Sequence, residues 1–413
     1  MKRVLTICIV LIGMGMQAQT LEEYFKIAAD NNPGLLSQHR EFEAALQKVP
    51  QVSSLPDPSL SVSAFGQMVE TRVGPQQARF SLSQMFPWFG TLKAQGDAAT
   101  LMAESRYQSF LDARNKLYFE VASAYFPLQE LKELKDIETQ NISILEAYKT
   151  ISNSKFKNGN GTLADVLRVD IMLKEAKTNL QILALKEKPL LVKFNSLLNR
   201  SEITPVVLSD ADVISPLSAD FLKDSLASNH PLLNALELKI KAGEASEQAA
   251  QKQGLPNLGI GLDYIMVGDR TDLAPGASAP PDNGKDAIMP MVTVSLPIFR
   301  SKYKAAVKEA QLMQESYSFQ KAEIVNSLKS EYEMAIYDIR QKTEMISLFE
   351  QQKEEAGQVL NLLIMAYGNS GTDFEEVLRM QQQLLTYDRL RITTLTQYKI
   401  AKAKLEYITA KRF

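Results

Sequence analysis

Few residues of this 413-residue chain are equipped for covalent or metal chemistry. The histidines, His39 and His230, stand far apart with no metal-ligand spacing around them, and the single cysteine, Cys8, has no partner for a disulfide or a thiolate site. No Gly-x-Ser-x-Gly nucleophile turn and no phosphate-cradling glycine loop occurs. The reading is therefore of a chain with no catalytic, cofactor or metal residues. What it holds in quantity is charge of both signs, 46 basic and 48 acidic residues for a formal net charge of -2. Acids and bases alternate along helical segments, which is the chemistry of solvation and ion pairing rather than of bond making. Without a long run of one sign, nucleic acid finds no electrostatic footprint.

The elements that carry these residues begin with an export signal. MKRVLTICIVLIGMGMQAQT has a basic start (Lys2, Arg3), an apolar run from Val4 to Met14 and a small residue at Ala18, the layout of a secretory signal over residues 1-18. A buried N-terminal helix is the alternative. Cys8 lies inside the apolar run rather than at its end, so lipidation is not expected. After residue 20 no apolar stretch is long enough for a spanning helix, so an exported protein of this sequence would enter a membrane with strands.

The chain reads as two copies of one plan. The segment 31-NNPGLLSQHREFEAALQ-47 resembles 229-NHPLLNALELKIKAGEA-245, and 55-LPDPSLSVS-63 resembles 255-LPNLGIGLD-263. Phe86-Pro87 then matches Leu296-Pro297, Gly161-Thr162 matches Gly371-Thr372, and Leu167-Arg168 matches Leu378-Arg379. The offset widens where the second copy carries 267-VGDRTDLAPGASAPPDNGKDA-287 against 67-QMVETRVGPQQ-77, and extra turn-rich length belongs in an exposed loop.

Around that loop each copy alternates with strand period. Leu60, Val62 and Ala64 oppose Ser59, Ser61 and Ser63; Phe80, Leu82 and Phe86 oppose Arg79, Ser81 and Ser83. The second copy sets Leu258, Ile260, Leu262 and Tyr264 against Gly259, Gly261 and Asp263, then Val292, Val294 and Leu296 against Thr293 and Ser295. Two hairpins are predicted, about 58-87 and 257-297. One apolar face and one Ser/Thr/Gly face suits a transmembrane barrel wall, and equally a half-buried hairpin on a soluble core.

The rest is helical and long. Residues 302-356 contain no Gly or Pro, and Leu328, Tyr332, Ala335, Ile339, Ile346 and Phe349 follow alternating spacings of four and three, with Lys342 as the interruption. In the first copy Leu117, Val121, Ala124, Leu128 and Leu131 keep the same seam, with polar interruptions at Lys135 and Glu138 and a kink or break expected near Phe126 because of Pro127. A helix from Ser301 to Tyr367 would be roughly 100 Å long.

The only tryptophan stands in 84-QMFPWFGTLK-93, where a strand gives way to a helix. Phe86, Trp88 and Phe89 fall where barrel strands meet a membrane interface, Pro87 stops ladder pairing and Gly90 lets the chain turn; 296-LPIFRSKYK-304 repeats the arrangement with Phe299 and Tyr303.

In these features the sequence resembles the TolC-type outer-membrane factor family, the exit ducts of bacterial tripartite efflux pumps and type I secretion systems. The duplicated plan, the exits Phe86-Pro87-Trp88-Phe89-Gly90 and Leu296-Pro297-Ile298-Phe299, and the turns 156-FKNGNGTLADVL-167 and 367-YGNSGTDFEEVL-378 carry the resemblance. It implies a mainly α, internally duplicated protein with a small β part. Long antiparallel coiled-coil helices would form a trimeric α-barrel, and four strands per protomer would contribute to a twelve-stranded transmembrane β-barrel. The organisation expected is a signal at 1-18, a first repeat at 19-188, an equatorial connector at 189-228 with a possible strand at 203-210, and a second repeat at 229-413. Leu60, Val62, Phe80, Leu82, Val292 and Val294 would face lipid, and Phe86, Trp88, Phe89, Tyr264 and Phe299 would line the membrane interfaces.

The resemblance also implies that Gly159, Gly161, Thr162, Gly368, Gly371 and Thr372 form periplasmic tip turns that dock an adaptor. Asp165, Arg168, Glu376 and Arg379 follow those turns as candidate gate residues held by ion pairs. The implied partners are two further copies of the chain, a periplasmic adaptor, an inner-membrane pump of RND, ABC or MFS type, and outer-membrane lipid. Some relatives of this kind export metal cations, which draws attention to Met68, Met85, Met266, Met289 and Met291, although scattered methionines pack more often than they ligate. The function implied is passive conduction from an inner-membrane pump to the exterior, by an outer-membrane protein with a large periplasmic part. The alternative is a periplasmic coiled-coil scaffold or adaptor with no transmembrane part.

Overall fold

The computed structural model describes residues 20-209, 230-274, 276-368 and 373-410. The signal at 1-18 with Cys8, Gly371, Thr372 and the connector from residue 210 onward lie outside them. The chain divides into two compact units, one of residues 38-110 and 231-325, the other of 1-37, 111-230 and 326-413.

The first of these holds the only sheet among the described residues. Strands β1 (Ser59–Thr71), β2 (Gly74–Phe86), β3 (Asn257–Val267) and β4 (Ala287–Ser295) pair antiparallel in the order β1-β2-β3-β4, so the two predicted hairpins join through β2 and β3. The register keeps like with like. Leu60, Leu82, Leu262 and Pro290 form one cross-strand row and Val62, Phe80, Tyr264 and Ile288 the next, while Ser61, Ser81, Asp263 and Met289 form a row on the opposite face. Pro290, which has no N–H to give, stands on the edge strand where a ladder tolerates it.

The stretch 67-77 is less of a loop than its composition predicts. After a bulge between Ala64 and Val69, pairing resumes as Val69–Gln76, Glu70–Pro75 and Thr71–Gly74, leaving a turn at Arg72-Val73. The long 268-286 loop folds back onto that turn: the Gly268 N–H donates to Pro75 O at 2.8 Å and the Gly284 N–H to Val73 O at 2.7 Å.

The second unit is helical. It contains α1 (Leu21–Asn31), most of α3 (Thr91–Lys157), α4 (Leu163–Leu197), the later part of α6 (Ser301–Gly368) and α7 (Phe374–Thr409); α2 (Pro33–Ser53) and α5 (Pro231–Gln253) lie largely in the first unit. The seams read from the sequence are buried: Leu117, Val121, Ala124, Leu128 and Leu131 on α3, and Leu328, Ala335, Ile339, Ile346 and Phe349 on α6. Tyr332 is only half-buried.

Three expectations need correction. Of the kink or break expected near Phe126, the break does not occur: helix α3 is continuous through Pro127. Proline there removes one hydrogen bond at a cost of about 3 kcal/mol, but Val121, Ala124, Tyr125, Leu128 and Leu131 around it are all buried, and that packing carries the helix across. Helix α4 likewise continues through Pro189 to Leu197, past the predicted start of the connector, because Phe194 is fully buried against Tyr24 at 5.1 Å between ring centroids. Residues 203-209 form no strand. Side chains rather than a ladder satisfy their backbone: Tyr24 Oη accepts from Val207 N at 2.9 Å, Tyr125 Oη from Ser209 N at 2.8 Å, and Asn195 Nδ2 donates to Thr204 O at 3.0 Å.

Candidate functional site: a sheet wall and a helix tip

The sheet wall follows from the alternation. On its apolar face Leu60, Val62, Phe80, Leu82, Val292 and Val294 are all exposed, Val292 to 76%. Ile260, Leu258, Leu262 and Ile288 extend the same face, so a contiguous apolar surface covers four strands and is left exposed by the described residues. The other face is polar and better shielded. Asp263 is completely buried there and ion-paired with Arg79 across the β2-β3 register, among Ser61, Ser81 and Ser63. Both outer edges, β1 and β4, lack a partner strand among the described residues.

The methionines divide between the faces. Met85, Met289 and Met291 belong to the polar face, where Met85 covers Gly259 and Met291 covers Gly261; Met266 is on the apolar side. The glycines leave gaps that flexible thioethers fill, which is packing. Among the described residues no group of His, Cys, Asp or Glu is arranged to hold a metal, and no helix is long and apolar enough to cross a membrane.

Aromatics mark the two ends of the wall. At the helix side Phe86 pairs in register with Leu258, and Trp88 and Phe89 follow at 6.1 Å between centroids in an edge-on arrangement. Phe89 and Phe299 are 79% and 78% exposed. Gly90 makes the turn between strand and helix with φ +79°, a conformation that favours glycine. Tyr264 sits at the opposite, loop-side end, where its hydroxyl donates to Asp286.

The helix tip lies in the second unit. Helix α3 ends in a Schellman arrangement: Gly159, at φ +74°, gives its N–H to Phe156 O at 3.1 Å, and Asn160 N–H reaches Lys155 O at 2.9 Å. Thr162 then caps α4. Its Oγ1 accepts from Asp165 N at 3.1 Å while Asp165 Oδ2 accepts from Thr162 N at 3.2 Å, a reciprocal capping box. Asp165 is thus engaged in starting a helix. Gly368 is the last residue of α6.

Of the candidate gate residues, Arg168 lies 3.9 Å from Asp165 but makes its closer pair across helices, 2.9 Å to Glu375 on α7. Arg379 pairs with Glu376 within α7. Sequence reasoning missed Glu375 and two further contacts. Lys155 Nζ donates to Tyr367 O at 2.8 Å and lies 3.6 Å from the centre of the Tyr367 ring. Tyr367 in turn stacks on Phe374 at 4.7 Å, and Phe374 meets Tyr148 edge-on at 5.7 Å. Beneath these is a core of Leu145, Val169, Leu173, Leu360, Val377 and Leu378. The available signal was Lys155, Tyr367 and Phe374 flanking the turns, and acids in the first turn of α7.

The polar interruptions on α3 have partners. Glu138 is buried and ion-paired with Arg389 of α7, and Lys135 meets Glu187 of α4 at 2.5 Å. The histidines do not form a cluster. His39 lies 3.5 Å from Glu43 and edge-on to Phe110. His230 is buried in the other unit beside Tyr407, and burial pushes its pKa down to about 4. Asp112, hydrogen-bonded to Tyr407, is pushed up to about 6, again by burial.

Residues 25–187 match the outer membrane efflux protein family. No curated protein matches the chain. Among solved structures it is similar to a membrane protein from Pseudomonas aeruginosa (TM-score 0.77, 17% identity, covering 94% of this chain and 93% of that one). It is also similar to the outer-membrane channel OprN (0.76, 16%, 94% and 89%) and to the CmeC outer membrane channel of Campylobacter jejuni (0.72, 15%, 94% and 85%). The chain thus carries an outer membrane efflux protein match over residues 25–187 and, over 94% of its length, the fold of outer-membrane channels.

Proposed function

We propose that this protein is the outer-membrane exit duct of a tripartite efflux or type I secretion system, conducting solutes passively from an inner-membrane pump to the exterior. The carrying observation is the four-stranded sheet with one bare apolar face, one serine-lined face and two open edges. Unpaired edges cannot persist in lipid, and four strands cannot close on themselves, so neighbouring copies must complete the wall. Three copies give the twelve-stranded barrel and the α-barrel of the TolC type. A periplasmic scaffold would leave the apolar face in water without a reason.

The tip turns at Gly159, Gly161, Thr162, Gly368, Gly371 and Thr372 dock the adaptor in this reading, and the helix ends act as the gate. Arg168 with Glu375, and Lys155 with the Tyr367 carbonyl and ring, tie the second turn to the first; Asp165 serves by capping, and Glu376–Arg379 trims the charge of α7. The pump, of RND, ABC or MFS type, supplies energy and selects substrate. The test is conductance of the purified protein in planar lipid bilayers: discrete channels support the duct, and recovery in osmotic-shock fluid without detergent supports the scaffold instead.

A further inference from the structure

The two helix-side exits of the sheet share a feature beyond their aromatics. Each is followed at once by basic residues: Lys93 after Trp88-Phe89-Gly90, and Arg300, Lys302 and Lys304 after Leu296, Ile298 and Phe299. From Arg300 to Lys308 there is no acid. Lys252, from the end of α5, lays its ammonium group against the Gly90 turn. Lys93, Arg300, Lys302 and Lys304 are exposed, as are Phe89, Leu296, Ile298 and Phe299 beside them.

Some surface bases are paired with carboxylates: Lys149 with Asp170 at 2.6 Å, Lys177 with Glu146 at 2.9 Å and Lys321 with Glu237 at 2.6 Å. At the two sheet exits five bases stand in one place without such a pair. Among the described residues none of Lys93, Lys252, Arg300, Lys302 and Lys304 has a carboxylate within 4.0 Å. Asp97 and Glu309, the next acids along α3 and α6, make no such pair with them. Arg300 reaches only the Gly254 carbonyl, at 3.4 Å, and Lys302 lies 4.7 Å from the Tyr303 ring. Uncompensated cations directly below exposed aromatics, at the end of a bare apolar sheet face, match the sequence of a bilayer leaflet: acyl chain, interface, phosphate.

We propose that Lys93, Lys252, Arg300, Lys302 and Lys304 form a basic collar that binds the headgroups of anionic phospholipids at the helix-side rim of the barrel. The proposal rests on the barrel reading above. The collar enriches such lipids around the channel and fixes its depth, the phosphates lying level with the first turns of α3 and α6.

Trp88, the only tryptophan, is a built-in probe. The full-length protein is reconstituted in phosphatidylcholine vesicles containing phosphatidylglycerol, with bromine on the acyl chains of one lipid or the other, and quenching of Trp88 is compared at equal mole fraction. Brominated phosphatidylglycerol should quench as if enriched about threefold over its bulk fraction. The enrichment should fall to about one when all five bases become Gln, and partway in the milder Lys302→Gln/Lys304→Gln variant, which alters only exposed helix surface and guards against misfolding. Millimolar inorganic phosphate should leave it in place; its loss there makes the collar a site for free anions and overturns the lipid assignment. Equal quenching by both lipids in the unaltered protein refutes the collar while leaving the barrel intact. Quenching by neither refutes the barrel, and the collar with it.

Discussion

Val292 and Thr293 are neighbours in β4 that point to opposite faces of the sheet, and replacing each with lysine tests the proposed lipid and lumen faces. Val292 stands opposite Ile260 on the apolar face and is 76% exposed in the single chain; Thr293 stands opposite Gly259 on the polar face. In water the two substitutions would cost about the same, a few tenths of a kcal/mol at an exposed strand position. In a bilayer they diverge. A lysine near the hydrocarbon midplane costs about 2–4 kcal/mol, and three copies folding together multiply that to roughly 6–12 kcal/mol per assembly. Lysine at 293 enters the wet lumen, where it changes ion selectivity toward anions and leaves stability within about 1 kcal/mol. The assay is heat- or urea-induced loss of the folded species from bilayer-reconstituted protein, with reversal potential measured on the same preparations. Equal stability of the two variants, or a less stable Thr293→Lys, would refute the assignment of faces.

Three other outcomes follow from the tip and the buried acids. Arg168→Glu should raise ion leakage through planar bilayers several-fold, whereas Arg379→Glu, which loses only an exposed pair within one helix worth about 0.2–0.5 kcal/mol, should raise it little; the reverse order contradicts the proposed gate. Phe374→Ala removes a ring buried against Tyr367 and Tyr148, so it should cost about 3–5 kcal/mol, read as lost amide protection at residues 360-368 and 374-380 with α3 unaffected near Val121. Burial acts in opposite directions on His230 and Asp112. The pKa of His230 is lowered from 6.5 to about 4, so its stability contribution is lost as pH falls through that window; that of Asp112 is raised from 3.8 to about 6, so stability is regained over nearly the same range. Asp112→Asn should therefore make stability fall more steeply between pH 6 and 4 than in the unaltered protein, in equilibrium denaturation at each pH. An unchanged slope shows that Asp112 does not titrate there.

How much of this was legible depended on whether a feature is periodic and local. The hairpins were, because Leu60, Val62, Phe80 and Leu82 alternate with serine and a half-shielded sheet imposes that period. The heptad seams were legible for the same reason, down to the odd status of Glu138, whose partner Arg389 lies 251 residues away. The bulge in β1 was overlooked although its signal was there: Phe65 directly after Ala64 breaks the alternation, and Gly66 inside a strand marks a bulge. Pro127 and Pro189 misled because local propensity costs a few kcal/mol and long-range packing around Tyr125 and Phe194 outweighs it. The extended stretch at 203-209 looks like a strand because it is apolar; its true anchors, Tyr24, Tyr125 and Asn195, come from elsewhere in the chain. At the tip, residue types were readable and pairings were not: Arg168 chose Glu375, and Asp165 went to a helix cap.

The claim on which the rest depends is that separate copies of the chain complete the sheet along β1 and β4. Native mass spectrometry of the protein extracted in mild detergent tests it most directly. The account predicts a complex of three chains that survives removal of the detergent micelle. A single chain of stable mass, with its apolar sheet face covered only by detergent, would contradict it.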